Sequence, residues 1–216
     1  MKRFLLVAAA LPLLSACEAS KTTSTDQVFT VKANMADSTV MTVGTPVIVG
    51  ATITHGADPI VGVAVMWTVA EGGGFLSSPQ TGTDTLGVAK VRWTIGTTPG
   101  VNSLAISSGD GVDTLRIIGV VDAATELRPV SDERTTVALG GTATIQVKVV
   151  DRFGNGVPSA TVTWATTGGA LSSASTTTNA SGVAETTVTA PASAGTFSVT
   201  ATLPGLATQT FDVVAQ

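Results

Sequence analysis

The chain is two copies of one unit set about 95 residues apart, and this repeat limits its architecture more than any other feature. Leu76-Ser77-Ser78 recurs as Leu171-Ser172-Ser173. Thr81 and Thr83 recur as Thr176 and Thr178, Gly87-Val88-Ala89 as Gly182-Val183-Ala184, and Gly100 as Gly195, all without a gap. Upstream, the segment ending at Trp67 corresponds to the segment ending at Trp164, with two extra residues in the glycine-rich turn at 71–74. A boundary between units then falls at residues 122–125.

Within each unit the hydrophobic period is two. Ile145, Val147 and Val149 alternate with Gln146 and Lys148; Val162 and Trp164 alternate with Thr161, Thr163 and Ala165. Phe197, Val199 and Ala201 follow, then Phe211 and Val213. In the first unit Val63, Val65, Trp67 and Val69 share one face, as do Val91, Trp93 and Ile95. A period of two with one apolar face is the signature of half-buried strands, and about seven short strands punctuated by turns close into two packed sheets. Residues 27–122 and 125–216 are therefore expected to form two tandem immunoglobulin-like antiparallel β-sandwiches, an all-β fold.

The composition agrees. Thr, Val, Ala, Ser and Gly dominate, Tyr is absent, and helical periodicity is missing beyond residue 20. With 44% hydrophobic residues in alternation, the chain can bury cores and is not disordered. The net charge of −4, which deepens when Lys2 and Arg3 are removed, excludes nucleic acid as a partner, because that binding needs a basic stripe. Charged residues amount to 12% and are scattered singly, the pattern of a solvated face.

The second unit carries Val149, Asp151, Gly154, Asn155, Val157 and Pro158 in the pattern V-x-D-x-x-G-N-x-V-P. Val162-Thr163-Trp164, the glycine pair Gly168-Gly169 before Leu171-Ser172, and the strand from Gly195 to Ala201 complete it. These residues resemble bacterial immunoglobulin-like domains of the invasin and intimin type. The resemblance implies a β-sandwich used in cell-surface stalks. The first unit has Thr54-His55-Gly56-Ala57-Asp58-Pro59 in place of the D-x-x-G-N loop, so its assignment rests on the repeat.

Lys2 and Arg3 followed by the apolar run from Phe4 to Leu14 form a signal peptide, too short to span a bilayer. Leu14-Ser15-Ala16-Cys17 resembles the lipobox of bacterial lipoproteins. That resemblance implies cleavage after residue 16 and a diacylglyceryl group on the Cys17 thiol, which anchors the chain to a membrane. Glu18, rather than Asp, follows the cysteine and implies the outer membrane. Cys17 is the one cysteine of the chain, so no intramolecular disulfide competes for it. Residues 17–26 are polar and aperiodic, a tether.

Few residues are candidates for chemistry. Trp67 and Trp164 occupy the place of a core tryptophan between sheets; the alternative is an exposed sugar-stacking platform. Trp93 faces Val188 in the repeat and is also expected in the core. His55 is the single histidine, in a loop, with no ligand or nucleophile at useful spacing. Asp122, Glu126, Asp132 and Glu133 cluster near the junction, but in no calcium-loop spacing, and Asp110 and Asp113 flank a turn. Asn179-Ala180-Ser181 is formally a glycosylation sequon, yet its counterpart Asp84-Thr85-Leu86 points to turn chemistry. The sequence thus predicts no catalytic residue, no metal site, no cofactor and no enzymatic activity. It predicts a lipid-anchored cell-envelope spacer or protein-interaction and adhesion module; the alternative is a module for carbohydrate or cell-wall polymer.

Replacing Cys17 with Ser should move the protein from the membrane to the soluble fraction. A variant that sediments with membranes as fully as the wild type would remove the lipid anchor.

Overall fold

The computed structural model describes residues 28–216; the expected signal peptide and tether, Cys17 included, lie outside the described residues. Strands follow the alternation read from the sequence. In the first unit they are β1 (Thr30–Ala33), β2 (Thr39–Thr42), β3 (Pro46–His55), β4 (Asp58–Pro59) and β5 (Ala64–Glu71). Then come β6 (Gly74–Leu76), β7 (Gln80–Gly82), β8 (Val88–Ile95), β9 (Gly100–Ser108) and β10 (Gly111–Val120). The second unit has β11 (Ala124–Pro129), β12 (Arg134–Val137), β13 (Thr142–Asp151), β14 (Thr161–Thr166) and β15 (Ala170–Leu171). It ends with β16 (Ser175–Thr177), β17 (Val183–Thr189), β18 (Gly195–Thr202) and β19 (Gln209–Ala215).

Each unit is a sandwich of two sheets. In the first, the order β1-β3-β8-β6 faces β2-β10-β9-β5-β7; in the second, β11-β13-β17-β15 faces β12-β19-β18-β14-β16. The two topologies match, except that β4, paired with the end of β3, has only an isolated bridge between Val150 and Gly156 as its counterpart. All pairs are antiparallel but two: β2 runs parallel to β10 and β12 parallel to β19. The chain crosses from one sheet to the other within its first strand region, and its second half then runs in the same direction as the last strand. His55 is exposed and closes β3 rather than standing in the loop.

Each sandwich closes its own core. Val49, Ile53, Val65, Trp67, Val91, Trp93, Leu104, Ile106 and Leu115 fill the first. Ile145, Val147, Val162, Trp164, Val188, Val199, Phe211 and Val213 fill the second. Apolar burial of this kind is the main favourable term in folding.

A buried indole also carries an N–H that needs an acceptor. Trp67 Nε1 donates to Thr81 Oγ1, and Trp164 Nε1 to Thr176 Oγ1, both at 2.8 Å. Two residues on, the second threonine of each repeated pair is buried and ties down the loop before the tryptophan strand. Thr83 Oγ1 donates to Ile60 O and accepts from Val63 N; Thr178 Oγ1 donates to Val157 O and accepts from Ala160 N. The repeated threonines are therefore the polar half of the core. Trp93, fully buried, makes no hydrogen bond from Nε1 among the described residues.

The repeated turn works identically in both copies. Asp84 Oδ1 accepts from the amides of Leu86 and Val88, as Asn179 Oδ1 does from Ser181 and Val183. Gly87 and Gly182 follow with φ of +70° and +79°, a conformation that favours glycine. Turn geometry accounts for Asn179. Asp110 and Asp113 are also structural: their carboxylates accept the amides of Phe29 and Ala33, lashing β1 to the start of β10.

Truncating Trp164 to Ala should cost the second sandwich about 3–5 kcal/mol, a large share of the roughly 5–15 kcal/mol that holds such a domain. Limited proteolysis with mass mapping should then show residues 125–216 digested while the first unit survives. Equal loss in both units would contradict separate cores.

Candidate functional site at the domain junction

The two sandwiches are joined by residues 121–123 alone, since β10 ends at Val120 and β11 begins at Ala124. A connector this short holds the units in contact, and the D-x-x-G-N loop of the second unit makes the contact specific. Asp151, the last residue of β13, is 2% exposed. Its Oδ1 accepts the amides of Phe153 and Asn155 at 2.9 Å. Its Oδ2 accepts Asn155 Nδ2 at 2.9 Å and the amide of Asp122 in the connector at 3.2 Å. One carboxylate thus shapes the loop and holds the linker. Burial pushes the Asp151 carboxyl up, but these four donors together outweigh it and hold the group below its ordinary value.

The loop then reaches the first sandwich. Asn155 Nδ2 also donates to Thr97 O at 2.8 Å. The Phe153 ring lies on Gly44, so close that a Cβ at Gly44 would fall inside the ring's van der Waals contact. Gly44 has φ +70° and donates its amide to Gly96 O at 2.9 Å. Its counterpart in the repeat, Gly140, has no neighbour at the same place. Arg152 completes the group: Nε pairs with Asp122 Oδ2 at 2.9 Å, and Cζ lies 4.7 Å from the centroid of Phe153.

The junction carboxylates do not converge on a metal site. Asp122 is engaged by Arg152, and Glu126 pairs with Arg128 at 2.6 Å. The hydrogen bond from Arg128 holds the Glu126 carboxyl below its ordinary value. Asp132 and Glu133 are exposed in the turn before β12. Among the described residues no group of three or more His, Cys, Asp or Glu side chains is placed to hold an ion. Trp67 and Trp164 are 2% exposed and Trp93 is fully buried, so none is a stacking platform. Sequence reasoning quoted the D-x-x-G-N loop as a family mark and missed its role.

Residues 130–215 match the family described as bacterial Ig-like domain (group 1). No curated protein matches the sequence. Among solved structures, the D0-D1 domain of intimin is 25% identical over 88% of this chain and 95% of its own, with a TM-score of 0.35. The D00-D0 domain of intimin is 15% identical over 85% and 99%, with a TM-score of 0.45. Invasin, described as a bacterial integrin-binding protein, is 21% identical over 88% of this chain and 40% of its own, with a TM-score of 0.42.

Because the folded state holds Asp151 ionised below its ordinary value of 3.8, its contribution to stability is complete above that pH. The contribution is lost as the pH falls through the lower folded-state value. Asp151→Asn should therefore destabilise the second sandwich by about 1–3 kcal/mol at neutral pH, since buried donors lose their acceptor. Melts taken from neutral pH to below 3.8 should show the gap to wild type closing on acidification. A gap constant over that range would remove Asp151 from the account of acid stability.

Proposed function

We propose, from the bacterial Ig-like (group 1) domain at residues 130–215, that the chain is a non-enzymatic cell-envelope protein. Its tandem sandwiches act as a spacer and as a protein-interaction or adhesion module. Lipid on Cys17 holds it to the outer membrane, and residues 17–26 serve as the tether.

The junction is the observation that carries this reading. A spacer has to transmit the position of its base to its far end, which a freely hinged linker does not do. Three connector residues, the Asn155–Thr97 hydrogen bond and the Phe153 ring on Gly44 oppose such hinging. Chemistry at a site would instead require titratable groups held within reach of one another, and Asp122, Glu126 and Asp151 are engaged by amides and guanidinium groups. Carbohydrate binding draws little support, because all three tryptophans lie in the cores.

Spin labels on cysteines introduced at exposed Val112 and Thr177, in a Cys17→Ser background, should report a narrow distribution of inter-domain distances. Phe153→Ala with Asn155→Ala should broaden it while leaving both domains folded. A distribution already broad in the parent protein would sink the spacer reading.

A further inference from the structure

The duplication supplies an internal control for every surface position. On the β1-β3-β8-β6 sheet, Ile48 pairs with Arg92, Gly50 with Lys90 and Phe75 with Thr94. On the equivalent sheet of the second unit, Thr144 pairs with Thr187, Gln146 with Glu185 and Ala170 with Thr189. The registers are identical and the chemistry is not. Ile48 and Phe75 are each 68% exposed, whereas the second unit has Thr144 and Ala170 in their places.

The same comparison explains an open depression on this face. In the second unit Gln146 Nε2 donates to Glu185 Oε2 at 2.7 Å, so two side chains close over the sheet. In the first unit their places are taken by Gly50, with no side chain, and Lys90. The gap they leave is lined by Asn34, Met35, Ile48, Gly50 and Lys90. The Asn34 side chain lies against Gly50, its Nδ2 3.1 Å from where a Cβ there would stand, and Thr52 Oγ1 holds it by donating to Asn34 Oδ1 at 2.8 Å.

Charge follows the same asymmetry. The first unit has four basic residues, and three of them, Lys32, Lys90 and Arg92, lie on this face, in a chain whose net charge is −4. None of the three forms an ion pair among the described residues; on the equivalent face of the second unit Lys148 is likewise unpaired, but Arg128 pairs with Glu126 and Glu185 offsets the charge. Asp84, in the turn before β8, accepts the amides of Val88 and Leu86, which together with the charge of Lys90 hold its carboxyl below its ordinary value. Exposed Ile and Phe beside unpaired Arg and Lys is the composition of a protein-binding patch with a charged rim. A second copy of this acidic chain would bring its own face of like charge.

We infer that this face of the first sandwich is the docking surface for an acidic protein partner. An apolar side chain of the partner enters the depression beside Asn34, between Met35, Ile48 and Lys90, and its carboxylates meet Lys90 and Arg92. The inference rests on the interaction-module reading and names the class of partner.

The test is photo-crosslinking in intact cells, with p-benzoylphenylalanine placed in the full chain at position 75 or, as control, at position 170. Position 75 should give a discrete adduct to another protein, and the joined peptide should carry Asp and Glu around an apolar residue. Lys90→Glu with Arg92→Thr, and separately Ile48→Thr, install what the second unit carries at these positions, so the fold tolerates them. The charge pair should cut the adduct about tenfold or more. No protein adduct at position 75, an adduct only with a second copy of this chain, or a yield indifferent to the charge change would overturn the inference. An adduct at position 170 alone would overturn this face while leaving the interaction module standing.

Discussion

A buried indole sets the terms for both sandwiches. Trp67 and Trp164 supply large apolar area between the sheets, but each brings an N–H that an apolar core cannot satisfy. The answer in both units is a threonine on the edge strand beside the tryptophan strand, β7 in one and β16 in the other. Once that hydroxyl is placed, the second threonine of the pair falls two residues on. It ties down the loop leading into the tryptophan strand and so settles where the strand begins. Trp93 illustrates the converse. It fills space that Val188 fills in the other unit, with no hydroxyl beside its Nε1.

The same demand operates between the domains with a charge in place of a dipole. A carboxylate as buried as Asp151 is tolerated only when its lone pairs are taken. Meeting that demand draws in the amides of the loop and of the connector together. The loop conformation that results is the one that places Phe153 on Gly44 and Asn155 on Thr97. Orientation of one domain on the other is in this sense a by-product of satisfying one buried ion.

Much of this was legible in the sequence. The period of two placed Ile145, Val147, Val162, Trp164, Phe211 and Val213 in the core, where the structure has them, because alternation is a direct readout of which face is buried. The turn role of Asn179 was legible from Asp84, since both side chains can accept from the same two amides. The junction was not, because it depends on which loop meets which surface, and periodicity is silent about contacts between units. The gathering of cations on the first sandwich was not legible for a related reason. Lys90 and Arg92 lie two residues apart, but Lys32 stands far from them in sequence, and only strand pairing brings it to the same sheet.

Duplication separates what the fold needs from what it does not. Interior positions of the two units are constrained alike, since any change of volume is felt at native packing density. Trp67 and Trp164 and their threonine pairs are therefore kept in both units, while elsewhere the cores compensate, Trp93 in one standing where Val188 does in the other. Outward positions on a sheet carry no such constraint, and polar residues such as Thr144, Gln146 and Glu185 suffice to keep one solvated. Where one copy instead exposes Ile48 and Phe75 and sets Lys90 and Arg92 beside them without an ion pair, folding offers no reason. Exposed apolar area on a soluble sheet invites edge and face association, so it persists where an association is used. The two outer faces diverge in chemistry while both cores keep the paired Trp67 and Trp164 with their threonines, and this divergence is what favours the first sandwich as the docking surface.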